Sequence, residues 1–266
     1  MNNHMSHKTE HSIQHIVELL LSIPFILVLI IYLVSVLISS YRGRSWSLYR
    51  SVFWMIGVCC CIVAVAGPLA DLAHTDFTVH MVAHLLLGML GPLLMVLGAP
   101  MTLLLRTLSV RQARKLTRIL RSKALGVISN PIITSILNVG GLWILYTTNL
   151  YAMMHENIFL HVVVHLHVFL AGYFFTVSLI YIDPVPHRTS YFFRAIVLGL
   201  ALAGHGILSK YIYAYPPNGV PESQARNGGM LMYYGGDMID LVLIIILCFQ
   251  WFKATKPRVI ISQSSA

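Results

Sequence analysis

Thr78-Val79-His80-Met81-Val82-Ala83-His84-Leu85-Leu86-Leu87-Gly88-Met89-Leu90-Gly91-Pro92-Leu93-Leu94-Met95-Val96-Leu97-Gly98-Ala99-Pro100 is an apolar run long enough to cross a bilayer, with two histidines near one end. On a helix, a four-residue spacing puts both imidazoles on one face, about 6 Å apart along the axis. A second apolar span repeats the arrangement with His161 and His165. Ionisable groups are costly inside a membrane and therefore mark functional positions.

The whole chain agrees with that reading. Its 266 residues are 57% hydrophobic and 10% charged, which excludes an ordinary soluble enzyme. The mean hydropathy of +0.76 points to a polytopic membrane protein. Residues 1–15 are polar and histidine-rich and run into a span too long for a signal peptide, so they read as an external mature tail. His4, Met5, His7, His11 and His15 make that tail either a flexible metal collector or a plain disordered terminus.

Seven stretches of about 20 mostly apolar residues are expected to span the bilayer. They lie near 16–38, 52–70, 78–105, 131–150, 158–182, 195–213 and 230–252, with 253–266 as a tail. The expected fold is an all-α seven-helix bundle. Basic residues cluster after spans one, three, five and seven: Arg42, Arg44 and Arg50; Arg106 to Lys123; Arg188 and Arg194; Lys253, Lys256 and Arg258. The positive-inside rule then places the N-terminus outside and the C-terminus in the cytoplasm. The net charge of +9 is thus a topology signal, and no nucleic-acid partner is expected. Glu10, Asp71, Asp76, Glu156 and Glu222 fall in outer segments, where carboxylates and histidines together suit a cation.

Pro92 predicts a kink and Pro100 an end to the third helix, with Met101 to Leu105 interfacial. Residues 106–123 read as a basic amphipathic surface helix. Cys59, Cys60 and Cys61 point about 100° apart on a helix and cannot converge on one metal. Small packing residues are the expectation for them and for Cys248, with a copper-relay thiol as the alternative. No short-period repeat stands out.

Depth follows from a helical rise of about 1.5 Å per residue. His80 and His84 fall roughly 3 and 9 Å below the outer end of their span, and His161 and His165 roughly 4 and 10 Å below theirs. His205 falls roughly 12 Å down and Asp237 roughly 10 Å. His84, His165, His205 and Asp237 therefore share a layer on four helices. Metal ligation by His80, His84, His161, His165 and His205, with Asp237 as an accessory ligand or orienter, is the expectation. The alternative for each residue is a hydrogen bond between helices. His167, two residues from His165, points elsewhere and is expected to make such a bond. Met81, Met153, Met154, Met230 and Met232 near the outer end tilt the metal towards copper.

His80-Met81-Val82-Ala83-His84 followed by Gly91-Pro92-Leu93 and Gly98-Ala99-Pro100 resembles the signature of the CtaG family, seven-span assembly factors of caa3-type cytochrome c oxidase in bacterial plasma membranes. Leu150-Tyr151 with His161-Val162-Val163-Val164-His165, and Gly229-Met230-Leu231-Met232-Tyr233, are similar to its later blocks. Where the family often has Trp-His and a proline before Leu-Tyr, this chain has Leu145-Tyr146 and Thr148. The resemblance implies a non-enzymatic role in maturing a haem-copper oxidase, with a cytochrome c oxidase subunit as partner and copper as the ion. Two other functions fit a histidine layer. A bis-histidine haem cytochrome would show a Soret band, and a copper or proton transporter would need a path through an inner half where Asp240 is one of few ionisable groups. No HExxH or serine-nucleophile motif accompanies the histidines, so hydrolysis is not expected.

Overall fold

A computed structural model describes the backbone of residues 2–256 and the side chains of 16–256. The side chains of the expected 1–15 tail, and residues 257–266 of the expected C-terminal tail, lie outside the described residues. The described residues form helices and no strand. In order these are α1 (Asn2–Tyr41), α2 (Leu48–Val65), α3 (Pro68–Ala73), α4 (Phe77–Leu85), α5 (Gly91–Leu97), α6 (Pro100–Thr107), α7 (Val110–Leu120) and α8 (Lys123–Ile128). There follow α9 (Pro131–Ser135), α10 (Gly141–Thr147), α11 (Leu150–Glu156), α12 (Ile158–Leu179), α13 (Tyr191–Ala214) and α14 (Glu222–Thr255). π-helical turns at Leu86–Leu90 and Ile136–Gly140 join α4 to α5 and α9 to α10.

Six of the resulting helices are long and apolar enough to cross a membrane. There are seven if Pro131–Thr147 and Leu150–Glu156, which meet at a 79° bend, form one span. The second span is displaced from 52–70: it begins at Leu48 and stops at Val65, because Gly67 at φ +83° turns the chain and Pro68 starts the short α3. The last is longer and begins at Glu222 rather than 230.

Phe77–Leu97 is the central span, with 67% of its most apolar window buried, against 28–39% for the other unbroken spans. Pro92 lacks an N–H and its ring crowds the carbonyl four residues back, at Gly88. The π turn sits at that place and widens the helix. Glycine then lets the neighbours close in. A Cβ on Gly172 of α12 would lie 1.9 Å from the Gly88 carbonyl oxygen, and one on Gly91 would lie 2.5 Å from Cys61 Sγ of α2. Of the four cysteines, Cys61 is the buried packing residue; Cys59 and Cys248 are exposed.

The break after Leu97 is held by side chains from elsewhere. Ala99 takes a left-handed φ of 49°. The Gly98 carbonyl accepts a hydrogen bond from the Tyr32 hydroxyl of α1 at 3.0 Å, and that hydroxyl accepts from Trp46 Nε1. The new helix α6 lacks a side-chain cap of its own, and Asp183 supplies one, accepting from the Met101 and Thr102 N–H groups at 3.0 and 2.7 Å. Buried Arg194 donates to the Leu179 carbonyl at the end of α12, between the rings of Tyr181 and Tyr191.

Gly172→Ala is expected to cost about 1–3 kcal/mol, since the backbone at Gly88 must move to admit the methyl group. Gly199→Ala meets nothing within 4 Å and should change stability by less than about 0.5 kcal/mol. Unfolding of the two variants in detergent separates them, and equal stabilities would contradict the crossing described.

Candidate histidine site

The orientation of α4 is fixed at its first turn. The Asp76 carboxylate accepts from the N–H groups of Thr78 and Val79 at 2.7 and 3.1 Å, and Phe77 N–H donates to Gln224 Oε1 of α14 at 2.9 Å. α12 starts in the same manner, with Asn157 accepting from Leu160 N–H. In each helix the paired histidines stand four and eight residues after the cap residue: His80 and His84 in α4, His161 and His165 in α12.

Three small cavities follow one another inward. The outer one, ≈ 20 Å³, is lined by His74, His80, His155, His161 and His165 together with Glu18 and Met154. His80 and His165 also line the middle one, ≈ 20 Å³, with His84 and Tyr146. His84 again lines the inner one, ≈ 20 Å³, with His205, Asp240, Asn138 and Thr176. Each has room for a single water or ion and little more.

Ring geometry ties the outer group together. His74 stacks on His161 with centroids 5.0 Å apart and meets His155 edge-on at 5.9 Å. His80 lies 6.3 Å from His155, and His161 stacks on His165 at 4.0 Å. A carbonyl oxygen can only accept, so His165 Nδ1–H donates to the His161 carbonyl at 2.8 Å and His155 Nδ1–H to the Tyr151 carbonyl at 2.9 Å. With Nδ1 so engaged, each ring has Nε2 left to offer a metal, the arrangement that metal-ligating histidines use. His80 Nε2 shares a hydrogen bond of 3.2 Å with the Tyr146 hydroxyl. His84 Nε2 and His205 Nε2 are buried without a hydrogen-bond partner among the described residues. Leaving such an atom unpaired costs about 1–3 kcal/mol, which is what an ion or water bound there would relieve. Glu18 Oε2 accepts from Gly67 N–H at 3.4 Å, bringing α1 to the rim.

His74 lies between spans, at the end of α3. Partial burial first, and the neighbouring His155 second, hold its imidazole below the usual 6.5, with Asp71 pulling the other way. It is therefore neutral at pH 7.

The expected ligands are largely brought together. His80, His84 and His205 are buried, His161 and His165 are half-buried, and all five line the linked cavities. Asp237 is not with them. The buried stripe of α14 runs Ala225, Gly228, Met232, Gly236, Asp240, Leu243, Leu247, and Asp237 falls off it, exposed. Asp240, 4% exposed, is the carboxylate in the inner cavity. Depth alone selected Asp237, and depth does not fix which way a helix faces. His167 makes the expected bond between helices, to the Leu137 carbonyl at 3.1 Å in the second π turn.

His74 and His155 are absent from the sequence expectation, yet a signal for them exists. The spacing His74, His80, His84 is six then four, and His155, His161, His165 repeats it. Among the described residues no three His, Cys, Asp or Glu side chains already stand at ligand spacing. Binding an ion through three of these side chains therefore requires their rotation, the stacked His161 and His165 above all.

Tyr146→Phe deprives buried His80 Nε2 of its partner and is expected to lower stability by about 1 kcal/mol, read from unfolding in detergent. No change would mean that the hydroxyl does not hold this ring.

An uncharacterized protein of Mycobacterium leprae is 28% identical over 232 residues, covering 79% of this chain and 35% of its own length. Uncharacterized proteins of Mycobacterium bovis and Mycobacterium tuberculosis are each 34% identical over 157 residues, 56% of this chain and 24% of theirs. The chain thus spans between a quarter and about a third of these relatives. No solved structure matches. The family model described as cytochrome c oxidase caa3 assembly factor, CtaG, matches residues 30–254, and the chain belongs to that family.

Proposed function

We propose that this assembly factor holds a copper ion as cargo in the histidine cavities, at the outer face of a bacterial plasma membrane, and passes it to the catalytic subunit of a haem-copper oxidase. The observation that carries the reading is the convergence of seven histidines from five elements or their ends on three adjoining, ion-sized cavities. His74, His155 and His161 form the mouth, His80 and His165 the passage, and His84 with His205 and Asp240 the deepest group. Imidazole nitrogens with the Met154 thioether beside them suit copper. The need for side-chain rotation before three donors converge favours a transient ligand set over a rigid structural one.

Protons compete with the metal for each ring nitrogen, so affinity falls as pH falls. Because partial burial and the neighbouring His155 lower the pKa of His74, protons compete for that ring only at lower pH than for an ordinary histidine, and the mouth keeps its affinity correspondingly further into acid. A His74→Gln variant should lose copper at higher pH than wild type in a titration followed by metal analysis.

His80→Gln with His165→Gln removes both histidines shared by the outer and middle cavities. Purified wild-type protein is expected to carry copper near stoichiometrically, and the double variant to lose at least about tenfold in affinity, a change of roughly 1.4 kcal/mol. Oxidase in cells carrying that variant should assemble without full activity. A folded double variant that keeps both copper and oxidase maturation refutes the proposal.

The inward series of cavities also favours a second reading, ion conduction across the membrane. Below Asp240 the buried stripe continues as Leu243 and Leu247, which offer an ion nothing. Copper uptake into vesicles would decide for conduction. A haem macrocycle requires far more room than the ≈ 20 Å³ of any of these cavities.

A further inference from the structure

At the opposite end of the bundle, where α1 ends and α2 begins, an open groove of ≈ 1140 Å³ runs between the loop after α1 and the helices α6 and α7. Six arginines line it from three separate stretches: Arg42 and Arg44 after α1, Arg106 in the last turn of α6, and Arg114, Arg118 and Arg121 along α7 and at its end. Lys123 adds a seventh basic side chain, and among the described residues no carboxylate lines the groove. Asp183, an acidic residue at this end, is engaged with the first turn of α6.

The α7 side of the groove is one face of the helix. Val110, Ala113, Arg114, Thr117, Arg118 and Arg121 recur at spacings of three and four, so that small side chains leave the floor open between the arginines. A capping box between Ser109 and Gln112 fixes where this helix starts. No residue of α7 is buried, and Val110 and Ile119 are exposed. The remaining walls are held in place: Arg42 Nη1 donates to the Thr107 carbonyl at 2.8 Å, and Arg106 packs over the Trp46 ring at 5.3 Å. Leu105 and Leu108 make part of the lining apolar. Positive charges gathered without a counter-charge repel, and an anion in the groove removes that cost.

We propose that this groove seats the phosphate headgroup of an anionic phospholipid, with its acyl chains leaving over the apolar part of the lining, Leu105, Leu108 and Val110. Two features favour a lipid over a soluble phosphate: the apolar part of the lining, and a helix that lies unburied at the ends of membrane spans beside a tryptophan. Basic clusters on amphipathic helices beside a membrane recognise anionic lipid in this manner.

The test uses full-length protein, delipidated in mild detergent and presented with cardiolipin, with phosphatidylcholine, or with cardiolipin plus pyrophosphate, and native mass spectrometry reads the bound lipid. Cardiolipin should be retained about tenfold better than phosphatidylcholine and should resist pyrophosphate at equal phosphate concentration. Arg114→Gln/Arg118→Gln/Arg121→Gln should lose about tenfold or more of that retention, whereas Arg111→Gln/Lys115→Gln, which removes charges of α7 outside the groove, should keep it. If the triple variant is unstable, Arg118→Gln alone should lower retention about threefold. Equal retention of phosphatidylcholine overturns the proposal. So does equal loss in the two variant sets, which would mean diffuse charge and no groove, or displacement by pyrophosphate, which would mean a site for free phosphate.

Discussion

At Gly88 and Gly172 two helix backbones pass with no room for a methyl group between them. That contact is possible because the central span widens into a π turn where Pro92 would otherwise collide with the preceding turn. It brings α12 against α4, so the paired histidines of the two helices share one volume and do not face separate patches of lipid. Van der Waals contact between small residues is the main attraction available inside a bilayer, where apolar burial gives no preference between lipid and protein. The histidine cavities therefore depend on a few glycines, Gly88, Gly91 and Gly172, more than on any polar bond.

Hydrophobic length made most of the fold legible. Six spans stand close to where runs of apolar residues predict them, because a bilayer imposes one thickness on every crossing. Their ends were less legible. Val65 closes α2 because of the backbone at Gly67, and the Leu97–Pro100 break is held by Tyr32 and Asp183, residues far off in sequence. The number of spans is six or seven according to how the 79° bend before α11 is counted, and no hydropathy pattern encodes an angle.

For the site, axial depth was legible and rotation was not. Helical rise put His84, His165 and His205 at one level, and the structure sets them around adjoining cavities. The same arithmetic chose Asp237, although the stripe of small and apolar residues on α14 turns Asp240 inward. His74 and His155 lie on short segments between spans, where no apolar periodicity draws attention to them. The partners that fix ring orientation, the carbonyls of Tyr151 and His161 and the hydroxyl of Tyr146, are consequences of packing and leave no pattern in the chain.

The twice-written histidine spacing has a geometric consequence. If His74, His80 and His84 are matched in order with His155, His161 and His165, the contact of His74 with His161 becomes the contact of His155 with His80, at 5.0 and 6.3 Å. The contact of His74 with His155 maps onto itself. The correspondence stops there: His161 stacks on His165 at 4.0 Å, whereas its counterpart His80 turns to the Tyr146 hydroxyl and His84 lines the inner cavity. One spacing thus produces two environments: the copy on α12 packs its rings on each other at the outer cavity, and the copy on α4 extends from the outer cavity to the inner one.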